Sequence, residues 1–233
     1  MKYWGVLAAL LSACLWVLSI PPFEFAEAAY VAFVPLMLWC AAGPSRRSVF
    51  GVGLLCAWVT WFVILIWLRH VTWVGTIGLS GILAALFVLW LLFAARIWPQ
   101  LTLAKFPVRV LGFAAISGLW VRSWLLWGFP WAPLSLSQWE RPVVLQLAAW
   151  TGAYGVSFLL IFFNCCVAQT LRSRTVHRER KTWTGWFSPD LYLALALLGG
   201  CLYLFFKTLP EKEGVVPLFT AGVVQPYIAP ELK

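Results

Sequence analysis

Long apolar runs alternate along the chain with short breaks rich in proline, glycine and basic residues. A helix that crosses a bilayer needs about 20 mostly apolar residues, somewhat fewer where neighbours cover its ends. Seven runs read as such helices: Tyr3 to Ile20, Ala28 to Ala42, Val49 to Leu68, Ile77 to Trp98, Val108 to Trp127, Val143 to Leu171 and Leu191 to Phe206. The second and seventh are the shortest. The breaks fall at Pro21-Pro22, Gly43-Pro44, Pro99, Pro107, Pro130 to Pro142 and Ser188-Pro189, where a helix must stop or restart.

Composition turns this pattern into a class. Of the 233 residues 63% are hydrophobic and 11% charged, with a mean hydropathy of +0.88, against roughly 25% charged usage in soluble domains. A water-soluble domain of this length needs polar surface that the chain lacks, so the reading is an all-α polytopic membrane protein.

The net charge of +9 raises the question of nucleic acid, but the basic residues are divided among short loops. Lys2, Arg46, Arg47, Arg96, Lys105, Arg109, Arg172, Arg174, Arg178, Arg180 and Lys181 fall on one set of alternate loops, which leaves Arg69, Arg122, Arg141, Lys207, Lys212 and Lys233 for the rest. The positive-inside rule then puts the N-terminus in the cytoplasm and the tail beyond the seventh span outside. The first loop, "PPFEFAE", is acidic and fits the outer side. The "LSAC" of residues 11–14 resembles a lipoprotein cleavage box, but the apolar run continues past Cys14 to Ile20, so a retained first helix is expected.

Candidate chemistry is sparse. Cys14, Cys40, Cys56, Cys165, Cys166 and Cys201 lie inside apolar runs without a CxxC pair, and read as small buried apolar residues. His70 and His177 stand alone, so neither a metal site nor a cofactor is expected. The stretch "LWVRSWLLWGFPWAPLSLSQWE", residues 119–140, is denser. On a helix Trp120, Trp124 and Trp127 fall within about 60° of one another, one stripe that fits an interfacial aromatic belt. Arg122 lies about 200° from Trp120, on the opposite face. It either snorkels to the interface or lines a polar cavity and faces a lipid phosphate or carbonyl. The break at Pro130 favours a cavity, because non-helical backbone near membrane depth survives only where protein or trapped water satisfies its amides.

Three blocks in order, "RSWLLWGFPWAPLSLSQ", "PVVLQLAAWTGAYGVSFLLIFFN" and "AGVVQPYIAPELK", resemble the bacterial apolipoprotein N-acyltransferases, and "PPFEFAEAAYVAFVPLMLW" is similar to that family's turn before its second helix. The resemblance implies a membrane domain of about eight helices with a nitrilase-like, carbon-nitrogen hydrolase domain inserted on the outer side. Residues 1–210 would be the membrane domain and 211–233 a linker and the start of the nitrilase-like one, with "LFTAGVVQP", residues 218–226, its first β-strand. The family's glutamate base, oxyanion-stabilising lysine and nucleophilic cysteine belong beyond that strand. Glu231 and Lys233 stand too early to fill those roles, so no catalytic residue carries over and the chain alone is expected to be inactive. The chain also departs from the family at Leu119, where an acidic residue usually precedes the W-x-R of the fifth helix, a departure that bears on any ion pair with Arg122.

The implied reaction moves an acyl chain from a phospholipid donor to a cysteine thiolate, then from the thioester to the α-amine of a diacylated lipoprotein acceptor, in the bacterial inner membrane. Arg122, Trp127, Phe129 and Trp131 are the candidates for lipid contact. The other readings are the membrane half of a split acyltransferase with a separate nitrilase-like subunit, and a small polytopic transporter or scaffold. The two broken-helix halves common in transporters are not found in the sequence.

Overall fold

The computed structural model describes residues 3–101, 132–176, 189–208 and 222. Every regular element among them is helical. Helix α1 spans Trp4–Ser19. It ends where Ile20 turns extended (φ −109°, ψ 152°), the conformation that a following proline imposes on its predecessor. Helix α2, Val34–Ala41, has eight residues. Helix α3, Arg46–Ile64, begins at Ser45, whose Oγ accepts the backbone N–H of Ser48 at 3.2 Å and so satisfies one of the orphan amides of a helix start.

Helix α4 covers Trp73–Leu101, α5 Pro142–Leu145, α6 Ala148–Val176 and α7 Pro189–Thr208. Four helical stretches, Arg46–Ile64, Trp73–Gln100, Ala148–Arg174 and Asp190–Thr208, are long and apolar enough to cross a membrane. Trp4–Ser19 and Ala26–Ala41 are shorter apolar segments. The expected fifth span, Val108 to Trp127, lies outside the described residues, as does the strand expected over residues 218–226 apart from the irregular Gly222.

Three elements differ from the sequence pattern. The apolar run from Ala28 to Ala42 is helical only from Val34, because Pro35 in the first turn of α2 has no N–H and its ring excludes a helical turn before it. The Ala26–Tyr30 segment ahead of it is a 3₁₀ turn. Pro99, expected to end the fourth span, lies inside α4, which continues two residues past it to Leu101. The run from Val143 to Leu171 is divided: α5 is a single turn, and α6 is broken at Gly152 (φ 65°, ψ −170°).

Helices α3 and α4 form a hairpin, α1 packs on α3 and α2, and α2 is wedged between α1, α4 and α6, with α7 against α5 and α6. The core is aromatic: the Trp16 ring meets Trp61 edge-on at 5.1 Å and Phe33 at 5.2 Å. Close approach of α3 to α4 needs Gly53, where a Cβ would stand 2.8 Å from a Leu91 methyl. Outward faces stay apolar, with Leu7, Leu10, Phe50, Leu55, Leu89, Leu195 and Leu202 exposed. This is far more apolar surface than water tolerates.

Contacts between distant loops define one end of the bundle. Glu27 pairs with Arg141, Tyr30 meets Gln138, and Thr208 at the end of α7 donates to Gln146 Oε1 at 3.2 Å. The Gly152 backbone falls in a region open essentially to glycine alone. Gly152→Ala is therefore expected to cost about 1–3 kcal/mol, seen as a lower unfolding midpoint of the chain in detergent; an unchanged midpoint would count against the break.

Candidate functional site

Helix α2 is about 12 Å long at 1.5 Å per residue, less than half of a roughly 30 Å hydrocarbon layer. Irregular backbone, residues 31–33 and the 3₁₀ turn before it, fills the rest of the path, with Ala28, Ala29, Ala32 and Phe33 all buried. Each amide here that is buried from solvent needs a partner within the protein.

Asn164, fully buried on α6, supplies two such partners. Its Oδ1 accepts the Phe33 N–H at 2.7 Å, and its Nδ2 donates to Ala29 O and to Leu160 O, both at 2.8 Å. On the other side, Ser12 Oγ of α1 accepts the Leu36 N–H at 3.2 Å. Val34 N–H reaches Val31 O at 3.1 Å, and Pro35 has no amide hydrogen, so the start of α2 is accounted for.

A second polar layer lies at the loop end. Ala132 (φ 49°) and an extended Pro133 lead into the 3₁₀ turn Leu134–Gln138. That turn is buried: Ser135 N–H donates to Ser157 Oγ of α6 at 2.9 Å, and the Ser137 hydroxyl donates to Leu134 O. Gln138, 1% exposed, donates to Ala26 O at 3.0 Å and accepts a longer bond from Tyr30 Oη at 3.4 Å. Outside this layer, Arg141 directs Nε and Nη2 to Glu27 Oε1 at 3.1 and 2.9 Å. The Glu27 carboxyl is held below its ordinary range, first by a hydrogen bond from its own backbone amide and then by Arg141. Both side chains are largely exposed, so solvent screens the pair and it contributes little.

The lipid-contact candidates Arg122, Trp127, Phe129 and Trp131 lie outside the described residues. What is described is the segment that begins at Ala132, immediately after Trp131, and its attachment by Gln138 and Ser135. Sequence reasoning missed the polar residues of that attachment. The signal was available: Asn164 is the chain's single asparagine, and it stands in the apolar run "LLIFFNCC". An uncharged polar side chain at such a place is kept where a neighbouring backbone needs it.

Exposed aromatic side chains surround this end, among them Phe23, Phe25, Trp139, Tyr154 and Trp150, the last 79% exposed. That distribution suits a headgroup-level belt. The six cysteines carry no disulfide; Cys40, Cys165, Cys166 and Cys201 are buried. No group of three metal-binding side chains occurs among the described residues.

Helices of membrane-crossing length with apolar outward faces define a helical protein built for lipid surroundings. The family model for the apolipoprotein N-acyltransferase N-terminal domain matches residues 12–166, and the chain belongs to this family. Apolipoprotein N-acyltransferase of Geobacter metallireducens is 28% identical over 97% of the chain and 44% of its own length, and that of Brucella suis biovar 1 is 28% identical with the same coverage. The counterpart in Rhizobium rhizogenes is 28% identical over 68% of the chain and 34% of its length. The chain therefore spans less than half the length of these curated relatives.

Asn164→Leu keeps the branched shape and the number of heavy atoms but strands the Phe33 N–H and Ala29 C=O in an apolar interior. The expected cost is about 1–3 kcal/mol for each stranded group. Thermal unfolding in detergent measures it, with Asn164→Gln expected to recover only part. A leucine variant as stable as the parent would remove Asn164 from the structural account.

Proposed function

We propose that this chain is the membrane region of an apolipoprotein N-acyltransferase, which moves an acyl chain from phospholipid to the α-amine of a lipoprotein's N-terminal diacylglyceryl-cysteine. The observation that carries the reading is the 28% identity to the Geobacter metallireducens acyltransferase over 97% of the chain. In the first transfer a thiolate attacks a phospholipid ester and a lysophospholipid leaves. In the second the lipoprotein amine attacks the thioester, an amide forms and the thiolate returns. The thiolate belongs to a nitrilase-like, carbon-nitrogen hydrolase domain, which residues 211–233 would begin.

The role left to this chain is to admit two lipid substrates sideways and hold them at one end of the bundle. Arg122, Trp127, Phe129 and Trp131 are its lipid-contact residues, next to the loop that Gln138 and Ser135 fix in place. Residues 1–233 alone transfer no acyl chain, because this reading places the nucleophilic thiolate in the nitrilase-like domain and gives none of the six free cysteines that role. The loop end faces the periplasm and the opposite end, with Arg46, Arg47, Arg172 and Arg174, faces the cytoplasm of the inner membrane.

Two experiments test this reading. Labelled phospholipid and a diacylated lipopeptide should give no product with residues 1–233 alone and product when the chain is joined to a nitrilase-like domain of the family. In the joined enzyme Arg122→Lys should slow transfer at matched abundance, by about 2 kcal/mol or less, because a point charge replaces a paired guanidinium contact poorly. Transfer by residues 1–233 alone, or a lysine variant equal to the parent, would refute the corresponding claim. Separately, a reporter active only outside the cytoplasm should work when fused after Lys233 and be silent when fused near Arg178; the reverse pattern overturns the orientation.

A further inference from the structure

Topology alone asks only that basic residues gather near one end of the spans, yet the arginines at the end opposite the Ala132–Gln138 loop are placed more closely than that. Arg46 and Arg47 occupy the first turn of α3 and Arg96 stands near the end of α4, all three exposed. Gly53 of α3 lies against Leu91 of α4 where the two helices form their hairpin. Arg47 is six residues from Gly53, about 9 Å along its helix, and Arg96 is five from Leu91, about 7.5 Å along its own. The two positions are therefore level.

They also belong to one side of the hairpin. Arg47 and Trp58 are about 20° apart around α3, and the Trp58 indole reaches α4, where its Nε1–H donates to Ile77 O at 3.4 Å and stands 3.9 Å from a Cβ on Gly81. Gly81 is about 60° from Arg96 around α4. Arg96 in turn closes a stripe of exposed residues at helical spacing, Ile82, Leu89 and Phe93, and Phe50 is exposed one turn from Arg47. A face that is cationic at one end and apolar along its length matches the outline of a phospholipid.

No described carboxylate neutralises these charges. Glu27 pairs with Arg141, Glu24 and Glu140 lie at the loop end, and Asp190 is buried with neither carboxylate oxygen hydrogen-bonded. The first turn of α3 holds no acidic residue, and a helix start disfavours cations. An anion reverses that balance, because the arginines and the unpaired amides of the turn then attract the same group. We propose that the Arg46, Arg47 and Arg96 end of this α3–α4 face binds an anionic phospholipid, whose phosphate the guanidiniums hold and whose acyl chain lies along Phe50, Leu89 and Phe93. This lipid sits at the far end of the bundle from the Ala132–Gln138 loop, so it is distinct from the donor of the transferred acyl chain.

Native mass spectrometry of the full chain released from nanodiscs tests the site, with phosphatidylglycerol and phosphatidylcholine of identical acyl chains as equimolar probes. The parent should retain phosphatidylglycerol several-fold more than phosphatidylcholine. Arg47→Gln and Arg96→Gln should each lower that preference several-fold. Arg69→Gln, which removes the same charge from the opposite end of the hairpin, should leave it unchanged. Equal retention of the two lipids by the parent, a preference indifferent to Arg47→Gln and Arg96→Gln, or a loss in Arg69→Gln as large as in Arg96→Gln overturns the proposal.

Discussion

A backbone that leaves the helix inside an apolar medium must find hydrogen-bond partners within the protein, and the Ala26–Phe33 segment is where this chain meets that demand. Helix α2 covers less than half of the bilayer's depth, so its upstream path is a 3₁₀ turn and a short irregular stretch. Each unpaired amide there would carry a desolvation penalty. Asn164 from α6 and Gln138 from the loop before α5 answer it within the segment, and Ser12 from α1 does the same for Leu36 in the first turn of α2. Those same bonds fix where α1 and α6 can sit, since moving either strands a buried amide.

Packing follows from that arrangement. A short α2 wedged among three neighbours has five of its eight residues buried, Val34, Leu36, Met37, Trp39 and Cys40. Its neighbours approach through small residues: a Cβ on Gly5 would stand 2.5 Å from the Trp39 ring, as one on Gly53 would crowd Leu91. Between lipid-exposed helices there is little hydrophobic drive to associate, so close packing and interhelical hydrogen bonds have to supply it. The aromatic cluster of Trp16, Phe33, Trp61, Phe87 and Trp90 shows the packing half of that balance, and Asn164 the hydrogen-bonding half.

Much of the helical framework was legible from apolar runs and punctuation, because both report local physics. The runs Tyr3 to Ile20, Val49 to Leu68 and Leu191 to Phe206 fall within a few residues of the observed helices Trp4–Ser19, Arg46–Ile64 and Pro189–Thr208. What escaped was non-local. Pro35 looked like one more residue in an apolar run until the structure set it in the first turn of a half-helix. Gly152 read as part of "GAYG" in a continuous helix, whereas its backbone occupies a glycine-only region and divides α6. Asn164 acquires its role from residues 131 positions away in the chain, which no local pattern reveals. Of the candidate site, the sequence reading singled out aromatic and cationic side chains, which lie outside the described residues, and not the uncharged polar ones that secure the adjoining loop.

That division has a physical basis. A group meant to meet a lipid is conspicuous in sequence because it is charged or large in a setting that otherwise excludes both. A group that holds backbone in place is small, neutral and fully satisfied, so it leaves almost no compositional trace. Gln138, Ser135 and Asn164 hold the Ala132–Gln138 segment and the Ala26–Phe33 segment in place, each through bonds buried from solvent. The exposed Glu27–Arg141 pair on the same loops, open to water and to salt, can exchange partners without disturbing them.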